Sequence, residues 1–215
     1  MTIIPDSIKL YGDVDIGKEC IVGEYTVIGY PHAESNYSFE SKNIKTIIGN
    51  NCHIGSYVII YGGSKICDGT KIEDFCRIGE NVVIGKKCHV SYKAEIHDDT
   101  KIDDGSIIAG FCCERAQIGR NVRLFGDLIH SHTDPHLGWD EVIEKSPIVD
   151  DYVFIGFGAK IIGGIKVGKN SYVAAGAIVT KDIPEKSIVI GVNEITQYKN
   201  WKGKLKSSEF FERGP

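Results

Sequence analysis

The feature that most constrains this chain is a repeat with a period of six residues. From Ile16 to Val179 an aliphatic residue, often followed by glycine, recurs at this spacing with three interruptions. Examples of the aliphatic and glycine pair are Ile16-Gly17, Ile54-Gly55, Ile84-Gly85, Ile118-Gly119 and Ile155-Gly156. A helix repeats every 3.6 residues and a half-buried strand every two, so neither explains the period. It predicts an all-β fold, the parallel β-helix, in which each hexapeptide forms a strand and a corner and three hexapeptides close a coil.

The position two residues before each aliphatic residue supports this fold, because it carries a small or slim side chain. Residues at this position include Cys52, Val58, Ser64, Thr70, Cys76, Val82, Cys88, Ala94, Thr100 and Ser106. Such side chains can point inward beside the aliphatic residue without overfilling a narrow prism. With Ile4 and Leu10 in phase there are about two dozen repeats, which predicts about eight coils and a length of roughly 40 Å.

Length, charge and hydropathy exclude several classes of protein. The chain has 215 residues and a net charge of −4, and its dispersed basic residues argue against nucleic acid as a partner. We expect one β-helix domain over residues 1–192, with loops at 30–46 and 126–147, and a short C-terminal helical arm over 193–215. No apolar run reaches membrane-spanning length and the N-terminus does not resemble a signal peptide. We therefore expect a cytoplasmic protein without a membrane partner.

The cysteines fit the same repeat. There are seven, an odd number, and Cys52, Cys76, Cys88 and Cys112 share the inward phase. We therefore expect small core residues in a reducing compartment and no disulfide framework.

Three interruptions mark places where a regular solenoid must send its chain outward, and such loops commonly carry function. The first, the loop at 30–46, suits a substrate flap or a subunit contact. The second is a four-residue excess between Ile108 and Ile118. The third, the loop at 126–147, holds three of the seven histidines within seven residues.

The spacing also suggests a neighbour for these histidines. If His130 occupies a rung, six residues after Leu124, the loop at 126–147 leaves the prism at the same corner as the excess between Ile108 and Ile118, one coil further along. Glu114 would then lie beside the histidines.

The segment from His132 to Gly191 resembles a known family when its motifs are read together. His132 precedes Pro147 by fifteen residues, and the last coils end in Val179-Thr180-Lys181-Asp182-Ile183-Pro184. This order is similar to that of the galactoside, maltose and virginiamycin O-acetyltransferases, and the whole repeat resembles that of the hexapeptide-repeat acyltransferases. The resemblance implies a left-handed prism, an acyl-CoA donor, and a homotrimer with active sites between subunits.

The resemblance also implies a catalytic role for a loop histidine. Acyl transfer from a thioester to an alcohol or amine needs a base to take the acceptor's proton. Imidazole suits this task because its ordinary pKa is about 6.5. His132 is carried over from the family as the general base, and His130 is the second candidate. The alternative is that the loop histidines are ordinary solvated residues.

Further residues are candidates for binding the acceptor, which we expect to be a sugar or nucleotide-linked sugar. They are Glu114, Asp127, His136 and Trp139. The carboxylates could orient the histidine or hold a hydroxyl or ammonium group, and Trp139 could stack on a sugar face. Their alternatives are surface carboxylates and packing of the loop on the prism.

The donor site is implied by the resemblance alone, since the relatives bind coenzyme A along a groove near their last coils. The matching positions are Phe154, Gly156 and Phe157 for the thioester arm, Ala159 and Ala175 for pantetheine, and Thr180 and Lys181 for the phosphates. The small residues have an alternative explanation, because the repeat itself requires them. The chain departs from its relatives at Gly191-Val192-Asn193-Glu194-Ile195, where they carry proline and arginine, and Lys199 or Lys202 would have to replace that arginine.

Two other functions compete with acyl transfer. A metalloenzyme like the γ-class carbonic anhydrases needs three histidines, and His53 and His89 do share a phase two coils apart. The third position is Ala94 and His97 is misplaced, so we expect no metal. The other alternative is a non-catalytic assembly protein. The identity of the acceptor, the choice between O- and N-acylation and the acyl length stay open.

Overall fold

The computed structural model describes residues 1–31, 45–131 and 144–200. These residues form a left-handed parallel β-helix, as the repeat and the resemblance predict. Short strands, numbered β1 to β27 in chain order, make three sheets that are the faces of a prism. We name them faces A, B and C, and the turns between them the A/B, B/C and C/A corners.

Each face collects every third strand of the chain. Face A holds β1 (Lys9–Leu10), β4 (Val27–Tyr30), β7 (Ile59–Tyr61), β10 (Arg77–Ile78), β13 (Glu95–Ile96), β16 (Phe111–Cys112), β19 (Asp127–Ile129), β22 (Lys160–Ile162) and β25 (Ile178–Val179). Face B holds β2 (Val14–Ile16), β5 (Thr46–Ile48), β8 (Lys65–Ile66), β11 (Val83–Ile84), β14 (Lys101–Ile102), β17 (Gln117–Ile118), β20 (Ile148–Val149) and β23 (Lys166–Val167). Face C holds β3 (Ile21–Val22), β6 (His53–Ile54), β9 (Lys71–Ile72), β12 (His89–Val90), β15 (Ile107–Ile108), β18 (Arg123–Leu124), β21 (Phe154–Ile155), β24 (Tyr172–Val173), β26 (Ser187–Ile190) and β27 (Glu194–Gln197).

The core is a set of stacked aliphatic columns. Ile54 lies opposite Ile72 and Ile60 opposite Ile78, so the regular coil is 18 residues long. The stacked isoleucines are closed off from solvent by the coils on either side. Face A contains nine strands, so the prism has nine coils, close to the predicted eight or so.

The slim residues fill the second inward column, as predicted. Ser64 Oγ donates to the carbonyl of Gly79 at 2.6 Å, one coil further along, so a hydroxyl is tolerated in the core because the next corner offers an acceptor. Cys76 Sγ donates in the same way to the carbonyl of Ser91 at 3.1 Å, and burial raises the pKa of this thiol to about 11. All seven cysteines are free thiols.

Two coils are shortened at the C/A corner, and this corrects the sequence analysis in two places. Cys112 follows Ile108 by four residues and Leu128 follows Leu124 by four, yet both are fully buried rung residues. The expected four-residue excess is therefore a regular rung after a shortened C/A corner. The loop expected at 126–147, which we call the second loop, likewise begins after β19 and not at Gly126.

Glycine makes the shortened corners feasible. A Cβ on Gly110 would collide with the carbonyl oxygen of Gly126, and a Cβ on Gly126 would collide with the carbonyl oxygen of Ala159. Successive coils approach each other here so closely that no larger residue fits.

The C-terminal arm differs from the expected helix in its described part. Strand β27 runs antiparallel to β26, with Ile188 opposite Thr196, and a 3-10 turn follows at Tyr198–Asn200. The strand covers an edge of the last coil that would otherwise leave backbone groups unpaired. The rest of the arm lies outside the described residues. Within those residues, no helix has the length and apolar character that a membrane crossing requires.

Glu73 is the centre of a charged cluster beside face C. Its carboxylate accepts hydrogen bonds from His89 Nε2 at 2.8 Å, from the Tyr92 amide at 2.9 Å and from Lys71 Nζ at 3.1 Å. These partners, His89 first, hold the pKa of Glu73 at about 2, below its ordinary value of 4.5.

The Glu73 cluster predicts a component of acid sensitivity. Because the folded-state pKa is depressed, its stabilisation is present above about pH 4.5 and is lost as the pH falls towards 2. Glu73→Gln should cost less than about 1 kcal/mol at neutral pH, since the cluster is partly exposed. Between neutral and acidic pH, the free energy of unfolding should then decrease less for the variant than for the wild type. Urea titrations at neutral pH and about pH 3 test this, and identical acid losses would contradict it.

Candidate active site at one corner of the prism

Both long loops leave the prism at the A/B corner. The first connects β4 to β5 and the second connects β19 to β20. Cys112 and Leu128 are partners in register, so Glu114 lies at this corner one coil before the second loop. The assumption that His130 occupies a rung is wrong, because Leu128 takes that position. The corner shared by Glu114 and the second loop is confirmed.

His130 is held in a defined orientation at the start of this loop. Its Nε2 lies 3.0 Å from Ser146 Oγ, and Ser146 Oγ lies 2.5 Å from the carbonyl oxygen of Glu114. A carbonyl only accepts, so the single hydroxyl proton of Ser146 points to Glu114 and Nε2 of His130 must donate. In the neutral imidazole this leaves the lone pair on Nδ1. The arrangement therefore assigns a tautomer in which Nδ1 can act as a base.

The two ends of the loop are also tied to each other and to the next coil. Ser131 Oγ donates to Glu144 Oε2 at 3.3 Å. At Gly164 a Cβ would collide with the side chain of Lys145, and Gly163, with φ +82°, faces Ser131. The Gly163-Gly164 pair thus gives the two loop ends room to lie against the prism. These contacts fix the points at which the histidine-containing loop leaves and rejoins the prism.

The two acceptor-binding carboxylates have different surroundings. Asp127 Oδ1 accepts the backbone N–H of Phe111 at 3.2 Å, which supports the shortened corner. Glu114 contributes its backbone carbonyl to the His130 network, while its partly exposed side chain lies 3.8 Å from the guanidinium of Arg115. Both residues therefore have structural partners, and their contact with an acceptor stays a prediction. The remaining candidates, His132, His136 and Trp139, lie outside the described residues.

One part of the predicted donor site lies at the C/A corner. Phe157 is 67% exposed and stacks on Phe125 with ring centroids 4.7 Å apart. Phe154 stacks on Tyr172 at 4.9 Å. These rings form an aromatic surface along the last coils that is open to a ligand or a neighbouring chain.

The small residues near this aromatic surface have a structural role as well. A Cβ on Gly156 would lie 2.5 Å from the backbone nitrogen of Ala175, so this glycine is required by coil stacking. Ala159 is fully buried, whereas Ala175 is exposed. Of the two alanines predicted to contact pantetheine, Ala175 is therefore the one that lies at the surface of the C/A corner.

The other part of the predicted donor site lies at the A/B corner. Thr180 and Lys181 are exposed and follow β25 directly. Asn193 Oδ1 accepts the N–H of Thr180 at 2.8 Å, and Asn193 Nδ2 donates to Thr180 Oγ1 at 3.0 Å. Asn193, one of the residues at which this chain departs from its relatives, therefore stabilises the turn before Lys181 by hydrogen bonds. The predicted donor residues consequently occupy two different edges of face A.

The structure also reveals a pair that the sequence analysis did not place in the site. Arg77 packs its guanidinium 4.6 Å above the ring of Tyr61, and His97 lies 4.6 Å from the ring of Phe111. Arg77 Nη1 and His97 Nε2 are both enclosed and lack a hydrogen-bond partner among the described residues. One signal was present in the sequence: His97 follows Ile96 at a position where the repeat often has glycine.

The histidines considered for a metal do stack in register, but with a lysine between them. His53 lies opposite Lys71, and Lys71 lies opposite His89. Among residues 1–31, 45–131 and 144–200, no three histidine, cysteine or acidic side chains come together in a way that could hold a metal ion.

Family comparisons agree with the observed repeat. Residues 45–79 match the bacterial transferase hexapeptide of six repeats, and residues 148–181 match the hexapeptide repeat of succinyl-transferase. Together these two matches cover about a third of the chain, and the repeat within them is that of the hexapeptide-repeat transferases. This confirms the family predicted from the motif, while the closer resemblance to the galactoside, maltose and virginiamycin enzymes stays a prediction.

Two bacterial relatives are longer than the chain. The bifunctional protein GlmU of Carboxydothermus hydrogenoformans is 29% identical over 190 residues, covering 88% of this chain and 37% of the relative. GlmU of Caldanaerobacter subterraneus is 29% identical over 205 residues, covering 94% of this chain and 43% of the relative. The chain thus spans about two fifths of the length of these hexapeptide transferase relatives.

Two solved structures share the fold of this chain. The UDP-N-acetylglucosamine acyltransferase of Francisella novicida superposes with a TM-score of 0.55 at 22% identity, covering 89% of this chain and 66% of that one. The enzyme of the same name from Campylobacter jejuni gives 0.50 at 17% identity, with coverages of 89% and 72%. At these identities the likeness concerns the fold alone.

Proposed function

We propose that this protein is an acyltransferase that moves an acetyl or other short acyl group from acyl-CoA to a hydroxyl or amine of a sugar or nucleotide-linked sugar. Membership of the hexapeptide-repeat transferase family supports the reaction class. The observation that carries the proposal is the orientation of His130 at the A/B corner.

The position of His130 relative to the predicted phosphate-binding residues supports this function. Leu128, Ile161 and Val179 are partners in register, so Thr180 lies in the same column as Ile129, two coils further along. Two coils correspond to roughly 10 Å. A pantetheine arm that begins near Lys181 and runs along the A/B corner would therefore lead towards the imidazole, and the lysine would neutralise phosphate charge.

The mechanism follows from the tautomer of His130. Nδ1 takes the proton from the acceptor's hydroxyl or amine while the acceptor atom attacks the thioester carbonyl carbon. The carbon–sulfur bond then breaks, and the leaving thiolate recovers the proton from the imidazolium. Ser146 and the Glu114 carbonyl keep the Nε2–H in place throughout, so the basic nitrogen faces the acceptor in each cycle. His132, favoured by the resemblance, is the second candidate for the base.

The split of the donor residues between two edges supports a site shared by subunits. Phe157 and Ala175 lie at the C/A corner, and Thr180 and Lys181 at the A/B corner. A single bound cofactor lying along one groove meets both sets if one prism contributes one edge and its neighbour the other. We therefore propose a homotrimer with active sites between prisms.

A thiol-release assay tests the function directly. The protein is incubated with acetyl-CoA, hydroxybutyryl-CoA or a longer acyl-CoA together with amino sugars, simple glycosides or nucleotide-linked sugars. We expect acceptor-dependent release of coenzyme A with at least one pair, and a product mass increased by the acyl group. If no pair reacts and calorimetry detects no binding of any acyl-CoA, the proposal is wrong and the non-catalytic alternative gains support.

A further inference from the structure

Face A carries a second group of functional side chains between the exits of its two loops. Arg77 on β10 and His97 directly after β13 belong to successive coils, because Ile78 and Ile96 are partners in register. They lie between two aromatic walls, Tyr61 on one side and Phe111 on the other. This group is distinct from the His130 network and is separated from it along the prism.

Two polar atoms of this group have no hydrogen-bond partner in the part of the chain that the structure describes. Arg77 forms no ion pair among the described residues, although Glu95 is its partner in register. Its Nη1 and His97 Nε2 are enclosed without a hydrogen bond, and the nearest carboxylate oxygen to Nε2, from Glu95, is 3.7 Å away. Leaving such atoms unpaired is costly, so in native structures they are usually given a partner, and a bound ligand is one such partner. Both side chains are partly exposed although Nη1 and Nε2 are enclosed, so a ligand at the surface reaches the guanidinium and the imidazole through their other atoms.

The chemistry of the group selects an anion. A guanidinium such as that of Arg77, which has no carboxylate partner among the described residues, presents planar paired donors to a phosphate or carboxylate, and the ring of Tyr61 holds it in position. His97 adds a second donor next to it. On the side of Tyr61 the row of aromatic rings on face A continues to Tyr30, whose ring contacts that of Tyr61 edge to face with centroids 5.6 Å apart.

We propose that Arg77 and His97 form the binding subsite for a phosphate or carboxylate group on the acceptor, so that the acceptor is an anionic sugar derivative. This rests on the proposed function, with the acylated group at His130. Arg77 lies three coils before Asp127 in register, and His97 lies two coils before Ile129. The separation along the prism is roughly 10–15 Å. The acceptor's anion therefore binds well away from its reacting hydroxyl or amine.

The pH dependence of binding distinguishes this role from a structural one. Desolvation and then the charge of Arg77 lower the pKa of His97, while Asp98, Glu95 and Glu114 oppose the shift, so the free imidazole is neutral at pH 7. Protonation of His97, at a pH below its lowered pKa, adds a positive charge and strengthens anion binding. A nucleotide-linked sugar has no titrating phosphate in this range, so it is a suitable probe.

Equilibrium binding to the full chain without acyl-CoA tests the subsite. The probes are UDP-N-acetylglucosamine for phosphate, N-acetylneuraminate for carboxylate and methyl glucoside as the neutral control. We expect one charged probe to bind at least about tenfold better than the neutral one, and the better probe identifies the anion. Arg77→Gln should remove this advantage and Arg77→Lys should keep part of it. Lys101→Gln, the same charge change at an exposed site on face B, should have no effect.

His97→Gln should keep binding to the better probe but abolish its strengthening, about threefold or more, as the pH is lowered from about 7.5 through the titration of His97. Equal affinities for charged and neutral probes, or equal effects of Arg77→Gln and Lys101→Gln, would overturn the subsite. These results are independent of acyl transfer. If the enzyme is active and Arg77→Gln leaves its acceptor KM unchanged, the subsite is wrong but the proposed function stands. If the protein binds the charged probe selectively but transfers no acyl group, the subsite stands but the proposed function is wrong.

Discussion

Replacing His130 with alanine is expected to lower kcat by roughly 10²- to 10⁴-fold, the range for removal of a general base. The KM for acyl-CoA should change little, because the imidazole acts on the acceptor's proton and not on the phosphates. Steady-state thiol release with the acceptor found in the screen measures both quantities. Ser146→Ala, which removes the partner of Nε2, should cost about tenfold in kcat by loosening the tautomer and the ring orientation.

Two further histidine variants control this experiment. His53→Ala removes an exposed imidazole from face C and should leave kcat unchanged. His132→Ala tests the base that the family resemblance favours. If it shows the large loss and His130→Ala does not, the base is His132 and the His130 network only supports the loop. If neither variant loses activity, the acceptor's proton leaves by another route.

The largest effect on stability is expected from Gly110→Ala. The carbonyl oxygen of Gly126 occupies the space that the new Cβ needs, and a backbone atom cannot move without separating two coils. We expect a loss of about 3 kcal/mol or more, at the upper end of the cost of overpacking. The midpoint of urea unfolding, followed by circular dichroism, measures the loss.

Gly62→Ala is the matched control for that change. Its Cβ would meet no atom closer than 3.8 Å, the carbonyl oxygen of Tyr30. The substitution should change stability by less than about 1 kcal/mol, in the stabilising direction, because alanine restricts the unfolded chain. Equal midpoints for the two variants would show that the close approach of the coils does not determine which residues the corner accepts.

Much of the prism could be predicted from local spacing. Ile54, Ile72 and the slim residues such as Cys52 fall into their inward columns because every coil repeats the same geometry. The same reasoning failed at Leu128, since it assumed corners of constant length. The shortened corner depends on contact between Gly110 and Gly126, residues of two different coils.

The candidate site was predictable only in part, for a similar reason. Its loop and its histidines stand out as an interruption of the repeat. The network that orients His130 joins it to Ser146 across the whole loop and to Glu114 in the preceding coil, which spacing along the chain does not reveal. The pairing of Arg77 with His97 arises in the same way, from stacking of successive coils.

The sequence by itself determined the repeat, the inward columns, the family and the segment that interrupts the prism, because each of these is a property of neighbouring residues. Only the tertiary structure decided which coils are short, that β27 closes an edge of face C, and which side chains meet at the A/B corner. Those features depend on the rise and register between coils, where residues about one coil apart in the chain come into contact.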